Sequence, residues 1–282
     1  MRRLTIFPFL RHNRAVSYTV SAILITAVTV ALVLVAFVYA YQVLDRQRGM
    51  SEFEIAQKSI LAFNDALENV AWKPGATRST RFTVQYGYLQ LVPSINPITI
   101  RATVNGVSKN LSTATFPGST GIIKYALSTD YVTFGPGYES YILGDNRSVI
   151  SGSADSYGRS AIRQLTGTGL VTITLDYRVR AMLTSVMNVS GVNTNYVDIW
   201  VIKLSMLVSK EWSYIHDFDL QAKTLSVKTA SYRYDVTNPF TTSVVSVQIG
   251  SVPANTVPIT LTISGLSQVV FNVVVAEVQV NV

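Results

Sequence analysis

Residues 15–41 read AVSYTVSAILITAVTVALVLVAFVYAY, a run of 27 positions with no charged side chain. As a helix rising about 1.5 Å per residue this run covers roughly 40 Å, more than the roughly 30 Å hydrocarbon layer of a bilayer. A secretory signal has a shorter apolar region of about 7–15 residues and a small-residue cleavage site after it. Here the small residues are spread through the run instead. Arg2, Arg3, Arg11 and Arg14 precede the run, and the mixed Asp45-Arg46-Gln47-Arg48 follows it. The positive-inside rule therefore puts residues 1–14 in the cytoplasm and the rest of the chain outside.

Composition agrees with an exported, β-rich body. The 282-residue chain is 48% hydrophobic but only 14% charged, against roughly 25% in ordinary soluble domains. The net charge of +7 is mostly leader, because without the four leading arginines 19 basic face 16 acidic side chains. No later segment clusters Lys and Arg with aromatics, so nucleic acid is not an expected partner. The chain has no cysteine, which excludes disulfides, thiolate catalysis and thiolate zinc sites.

The junction before the run is specific. Arg14-Ala15-Val16-Ser17 is a basic-small-apolar-small step set directly against the apolar segment. It resembles the cleavage site of archaeal prepilin peptidases, and residues 14–34 resemble the start of archaeal type IV pilins with a class III signal peptide. The resemblance covers about 30 residues. It implies cutting after Ala15 on the cytoplasmic side, retention of the helix, and three partners: the peptidase, like subunits through their N-terminal helices, and an assembly platform. Val20 stands where bacterial type IV pilins carry a glutamate, and Tyr18-Thr19 replaces a common archaeal Pro-Val, so the bacterial assembly register is not implied. A plain signal anchor is the other reading of the same run.

Beyond the run, residues 51–73 place Phe53, Ala56, Ile60, Phe63, Leu67 and Val70 at spacings of three and four. This is a narrow apolar seam on a polar helix, suited to another helix or to the domain that follows. Gly49 offers a break before it, Glu52 and Glu54 suit a helix start, and Pro74-Gly75 supplies the stop.

After Pro74 the period becomes two. RFTVQYGYLQLV (81–92) alternates Phe82, Val84, Tyr86 and Tyr88, then changes phase around Gly87 towards Leu89 and Leu91, as a bulged strand does. In 170–183, Val171, Ile173, Leu175, Tyr177 and Val179 alternate with outward Thr172, Thr174, Asp176, Arg178 and Arg180. Similar segments recur to the C-terminus, with turns at Asn238-Pro239, Pro253 and Ser264-Gly265. Residues 114–167 are the least periodic, consistent with hairpins or with an adhesive or intersubunit loop. The neck followed by residues 71–93 also resembles archaeal secreted proteins with pilin-type leaders.

The expected architecture is α+β: a long N-terminal hydrophobic helix and amphipathic neck followed by an all-β sandwich-like domain. Its parts are a leader over 1–15, a transmembrane or filament-core helix over 16–44, a neck over 45–73 and an extracellular β-sandwich over 74–282. The resemblance implies a structural pilin-like subunit of a surface filament or pseudopilus, supporting adhesion or surface assembly; the alternative is a non-polymerising, membrane-anchored binding protein. The chain would reside in the cell membrane with its C-terminal domain outside, or in an extracellular filament. No enzyme activity, cofactor or metal is expected. His216 is the single histidine beyond the leader, and with Asp217 and Asp219 it has no established ligand spacing, so it reads as a solvated turn. Asn110, Asn146 and Asn188 head N-x-S/T sequons, acceptors for glycans if the body is outside.

Overall fold

Uninterrupted apolar and helix-forming residues give α1 (Tyr18–Ala71) its 54-residue length. The computed structural model describes residues 18–112, 118–152, 157–207, 211–237, 243–250, 254–262 and 265–282. The chain divides into two compact units, Met1–Gln47 and Arg48–Val282. In the first, Ile23, Leu24, Val35 and Phe37 are each at least 57% exposed, and the apolar side chains cover the helix all round. Thr26 and Thr29 donate their hydroxyls to the carbonyls of Ala22 and Ile25, 2.8 Å each, so these polar groups are satisfied within the helix itself.

Gly49 does not interrupt α1, and residues 48–71 are part of the second unit's core rather than a separate neck. Thirteen strands follow among the described residues: β1 (Thr77–Val104), β2 (Val107–Asn110), β3 (Ser119–Ser128), β4 (Glu139–Leu143), β5 (Val149–Ile150), β6 (Gly158–Gln164), β7 (Leu170–Tyr177), β8 (Val179–Val189), β9 (Val192–Met206), β10 (Trp212–Val236), β11 (Ser243–Ile249), β12 (Asn255–Ile259) and β13 (Ser267–Asn281). The main path is β4-β6-β7-β3-β1-β10-β13-β9-β8-β5, with β2 and β11 on β1 and β12 on β11. The fold class is thus α+β, a long apolar helix followed by a β-sandwich-like body. Not all strands are short: β1 has 28 residues and β10 has 25.

The long strands carry two cores on opposite faces. β9 and β13 pair in parallel without a slip from Ser267↔Asn193 to Val280↔Met206. Odd-numbered Val197, Ile199, Val201, Val269, Phe271 and Val273 enter one core. Even-numbered Ile202, Leu204, Ala276, Val278 and Val280 enter the other. Because strand side chains alternate faces, the cover of the sheet must change sides along these two strands. One half is covered by α1; the other is covered by the end of β1 with β11 and β12. Burial on both faces explains the near-continuous apolar sequence of β13. β10 keeps pace through a bulge between Thr224 and Ser226.

β1 makes the crossing possible. Its first part pairs with β10 and β3, its last with β11 and β2. The register slips between Val92 and Asn96, in the stretch holding Pro93 and Pro97, where missing backbone N–H groups weaken the ladder. The predicted bulge near Gly87 is present as well, between Val84 and Leu89.

One expected strand face differs. Val171, Ile173, Leu175 and Tyr177 of β7 point into the core as their alternation indicates, but Thr172, Asp176 and Arg178 on the opposite face are buried too. On that face Arg159 Nε donates to Asp176 Oδ1 at 2.8 Å, with a second contact between Arg159 Nη2 and Asp176 Oδ2. Arg178 meets Asp145 at 3.5 Å. An alternation of polar residues marks a solvent face only if their charges lack partners, and here neighbouring segments supply them.

Candidate functional site

The residues of chemical interest converge where the body begins. Phe53, Ala56, Ile60, Phe63, Leu67 and Val70 are all buried at 4% exposure or less, against strands of their own body. Their seam faces this sheet and is therefore not open to a helix of another chain.

Glu52, one residue before the seam, is also buried. The bulge leaves Gln85, Tyr86 and Gly87 outside the β1–β10 ladder. Glu52 Oε2 accepts from the N–H groups of Gln85 at 2.8 Å and Tyr86 at 2.9 Å, and Oε1 accepts from Gly87 N–H at 3.0 Å. The Tyr125 hydroxyl donates to Oε1 at 2.8 Å, and burial followed by the adjacent carboxylate pushes its ionisation far above the ordinary tyrosine range. It therefore serves as a donor. Glu52 ties helix, bulge and β3 together. It does not mark a helix start, since α1 already runs from Tyr18. The signal was an acidic residue beside an apolar seam, but its partners are thirty or more positions away.

A second feature is built from Phe134-Gly135-Pro136-Gly137-Tyr138. Gly135 and Gly137 have φ of 111° and 76°, conformations that L side chains rarely adopt, and they turn the chain so that the two rings stack at 4.7 Å. Gln164 holds the loop: its Oε1 accepts from Phe134 N–H at 2.8 Å and Gly135 N–H at 3.0 Å. Phe134 also contacts Phe53 of α1, ring centroids 5.9 Å apart. Tyr131 packs on Gly49 so closely that a Cβ there would lie 2.4 Å from its ring, and Tyr86 meets Tyr131 edge-on at 5.0 Å. Gly49 is thus a packing position. Beside it, Arg48, Ser51, Glu52, Ile55 and Tyr86 line an open groove of about 320 Å³.

The other predicted sites are dispersed. Arg14, Ala15, Val16 and Ser17 lie outside the described residues, as do Asn238-Pro239, Pro253 and Ser264. Asn110 ends β2 and accepts from Ser112 N–H at 2.9 Å. Asn146 is exposed, yet the Ser148 hydroxyl of its sequon is buried and donates to the Val247 carbonyl. Asn188 is exposed in the β8–β9 hairpin, its amide donating to Asn193 Oδ1 at 2.9 Å. His216 is exposed, but within β10 rather than in a turn. Its φ is 70° and it pairs opposite Val84 at the edge of the bulge. Arg81 holds the neighbouring Asp217 below the usual carboxylate range through a 3.0 Å contact. Among the described residues no three His, Asp or Glu side chains are grouped to hold a metal. Residues 114–167 include strands β3 to β6, with the stacked Phe134–Tyr138 loop between β3 and β4.

No family model, curated protein or solved structure matches the chain.

Proposed function

We propose that the chain is a structural, type IV pilin-like subunit of a surface filament or pseudopilus, supporting adhesion or surface assembly. The observation that carries this reading is the uncharged helix beyond Tyr18, exposed around its circumference, placed directly after Arg14-Ala15-Val16-Ser17. A helix satisfies its backbone hydrogen bonds internally, so an all-apolar one is compatible with lipid and equally with a bundle of like helices. One segment can serve first as membrane store and then as filament core. The partners on this reading are a prepilin peptidase, an assembly platform and other copies of the chain. The body would be extracellular, with Asn188 the better presented glycan acceptor, because the sequon hydroxyls that follow Asn110 and Asn146, those of Ser112 and Ser148, are both engaged by backbone groups.

Burial of the Phe53 to Val70 seam favours the second reading, a membrane-anchored binding protein that stays monomeric, because it removes one surface through which subunits could pack. Co-expression with an archaeal prepilin peptidase separates leader processing from plain anchoring. Intact mass and N-terminal sequencing should give a new start at Val16, abolished by Arg14→Ala. An unprocessed chain that stays in the membrane would exclude the pilin pathway.

A further inference from the structure

The part of the body around Gly49, where the chain enters it, carries exposed aromatic and apolar side chains. Phe134 is 41% exposed, Tyr138 36% and Met50 55%. Tyr131 packs on Gly49 and Tyr86 packs on Tyr131, both half-buried. The surface is built firmly, since two glycine turns stack Phe134 on Tyr138 and Gln164 holds the loop by two backbone N–H groups.

Chain connectivity indicates what covers this surface. Leu44 is the last residue before the first charge, and Gly49 is five positions on. Even a fully extended chain spans at most about 3.6 Å per residue, so these two points are within roughly 18 Å whatever the backbone does between them. Any membrane that holds residues 18–44 therefore has its headgroup layer within reach of Gly49 and the rings around it. The chemistry suits that layer: tyrosines with an apolar body and a polar tip are favoured at membrane interfaces. Arg46 and Arg48, which lie between Leu44 and Gly49 along the chain, supply cations within the same reach, as suits headgroup phosphates.

We infer that this part of the body is a membrane-resting collar. Phe134, Tyr138 and Met50 enter the interfacial zone of the bilayer that holds the stem, and Arg48 meets headgroup phosphates. The collar would hold the body against the membrane, limiting its tumbling about the stem. The inference needs the stem to occupy a membrane, as the anchored reading does throughout and the filament reading does before assembly, but it does not need the chain to polymerise.

The chain has no cysteine, so single spin labels are clean reporters. Full-length protein carrying Thr133→Cys, Met50→Cys, Val30→Cys or Val107→Cys would be nitroxide-labelled and placed in phosphatidylcholine–phosphatidylglycerol vesicles. Accessibility to oxygen and to a water-soluble nickel chelate is then compared. Val30 reports the stem; Val107, 51% exposed in β2, is the remote control. Thr133 sits beside Phe134 and leaves the rings intact. The expected result is an oxygen-to-nickel ratio highest at Val30, intermediate at Thr133 and Met50, and at least threefold lower at Val107. Adding Phe134→Ser and Tyr138→Ser to the Thr133→Cys chain should lower its ratio to the Val107 value. Lipid-like values at Val30 with Thr133 and Met50 matching Val107 would overturn the collar and leave the membrane stem standing. Water-like values at Val30 would overturn both.

Discussion

Removing the Glu52 carboxylate should loosen the body from one buried atom outward. Oε1 serves two fully buried donors, Gly87 N–H and the Tyr125 hydroxyl, whereas Oε2 serves Gln85 and Tyr86 N–H groups at a partly buried site beside the open groove. In Glu52→Ala, water can reach the second pair but not the first. Each orphaned buried donor costs about 1–3 kcal/mol, and each lost charge-assisted bond that water replaces about 1 kcal/mol, giving about 4–8 kcal/mol in all. Glu52→Gln keeps one acceptor oxygen for Gln85 and Tyr86, and its amide can donate to a reoriented Tyr125 hydroxyl. Only Gly87 N–H loses its partner, and the cost falls to about 2–3 kcal/mol. Urea unfolding of the full chain in mild detergent measures this, followed by the fluorescence of Trp72, whose ring packs on Tyr157 at 5.6 Å in the same core. With a slope of about 2 kcal/mol per molar urea, the midpoint should fall by about 1–1.5 M for Glu52→Gln and by about 2–4 M for Glu52→Ala. The exposed neighbour Glu54→Gln should leave it unchanged. If Glu52→Gln behaves like Glu54→Gln, the carboxylate is not what holds the bulge.

Arg159→Met should cost about 3–5 kcal/mol by leaving Asp176 charged and buried, and Arg159→Met with Asp176→Leu should regain most of it, as thermal unfolding would record. Recovery absent from the double variant would show that the pair acts through more than its charge. Gly49→Ala gains about 1 kcal/mol of helix propensity but drives a methyl into the Tyr131 ring, an overpacking cost of about 1–3 kcal/mol. A net loss of stability is expected, removed when Tyr131→Ala is added; a stabilised single variant would contradict the contact. Glu139 is held below the ordinary carboxylate range, first by the Tyr141 hydroxyl at 2.7 Å and then by Arg163. Its contribution is therefore full above about pH 4.3 and is lost as pH falls through the lower folded value. Because the pair is well exposed, the contribution is under about 0.5 kcal/mol, and Glu139→Gln should flatten the stability profile below pH 4.3 by no more than that.

Periodicity exposed the parts of this fold whose cause is local. Phe53 to Val70 read as a helix seam because 3.6-residue spacing is written along one segment, and the phase change at Gly87 read as a bulge because alternation breaks there. What each segment packs against depends on partners far along the chain. The seam meets strands ending at Val280, more than two hundred residues away, and its spacing alone suits a foreign helix equally well. The polar face of β7 read as wet because Asp176 and Arg178 are charged. Their burial depends on Arg159 and Asp145, which no period links to them. Glu52 follows the same logic: a carboxylate can be buried because a distant bulge leaves three N–H groups needing an acceptor, so bulge and acid form a single feature divided between two segments. The Phe134 to Tyr138 loop is the intermediate case. Its glycines announce a tight double turn, but only the nearness of Gly49 to Tyr131 and of Phe53 to Phe134 brings those rings to the end of the body that follows the apolar run. Position along the chain and position in space coincide there, and this coincidence makes lipid, rather than another protein, the first partner to test for those rings.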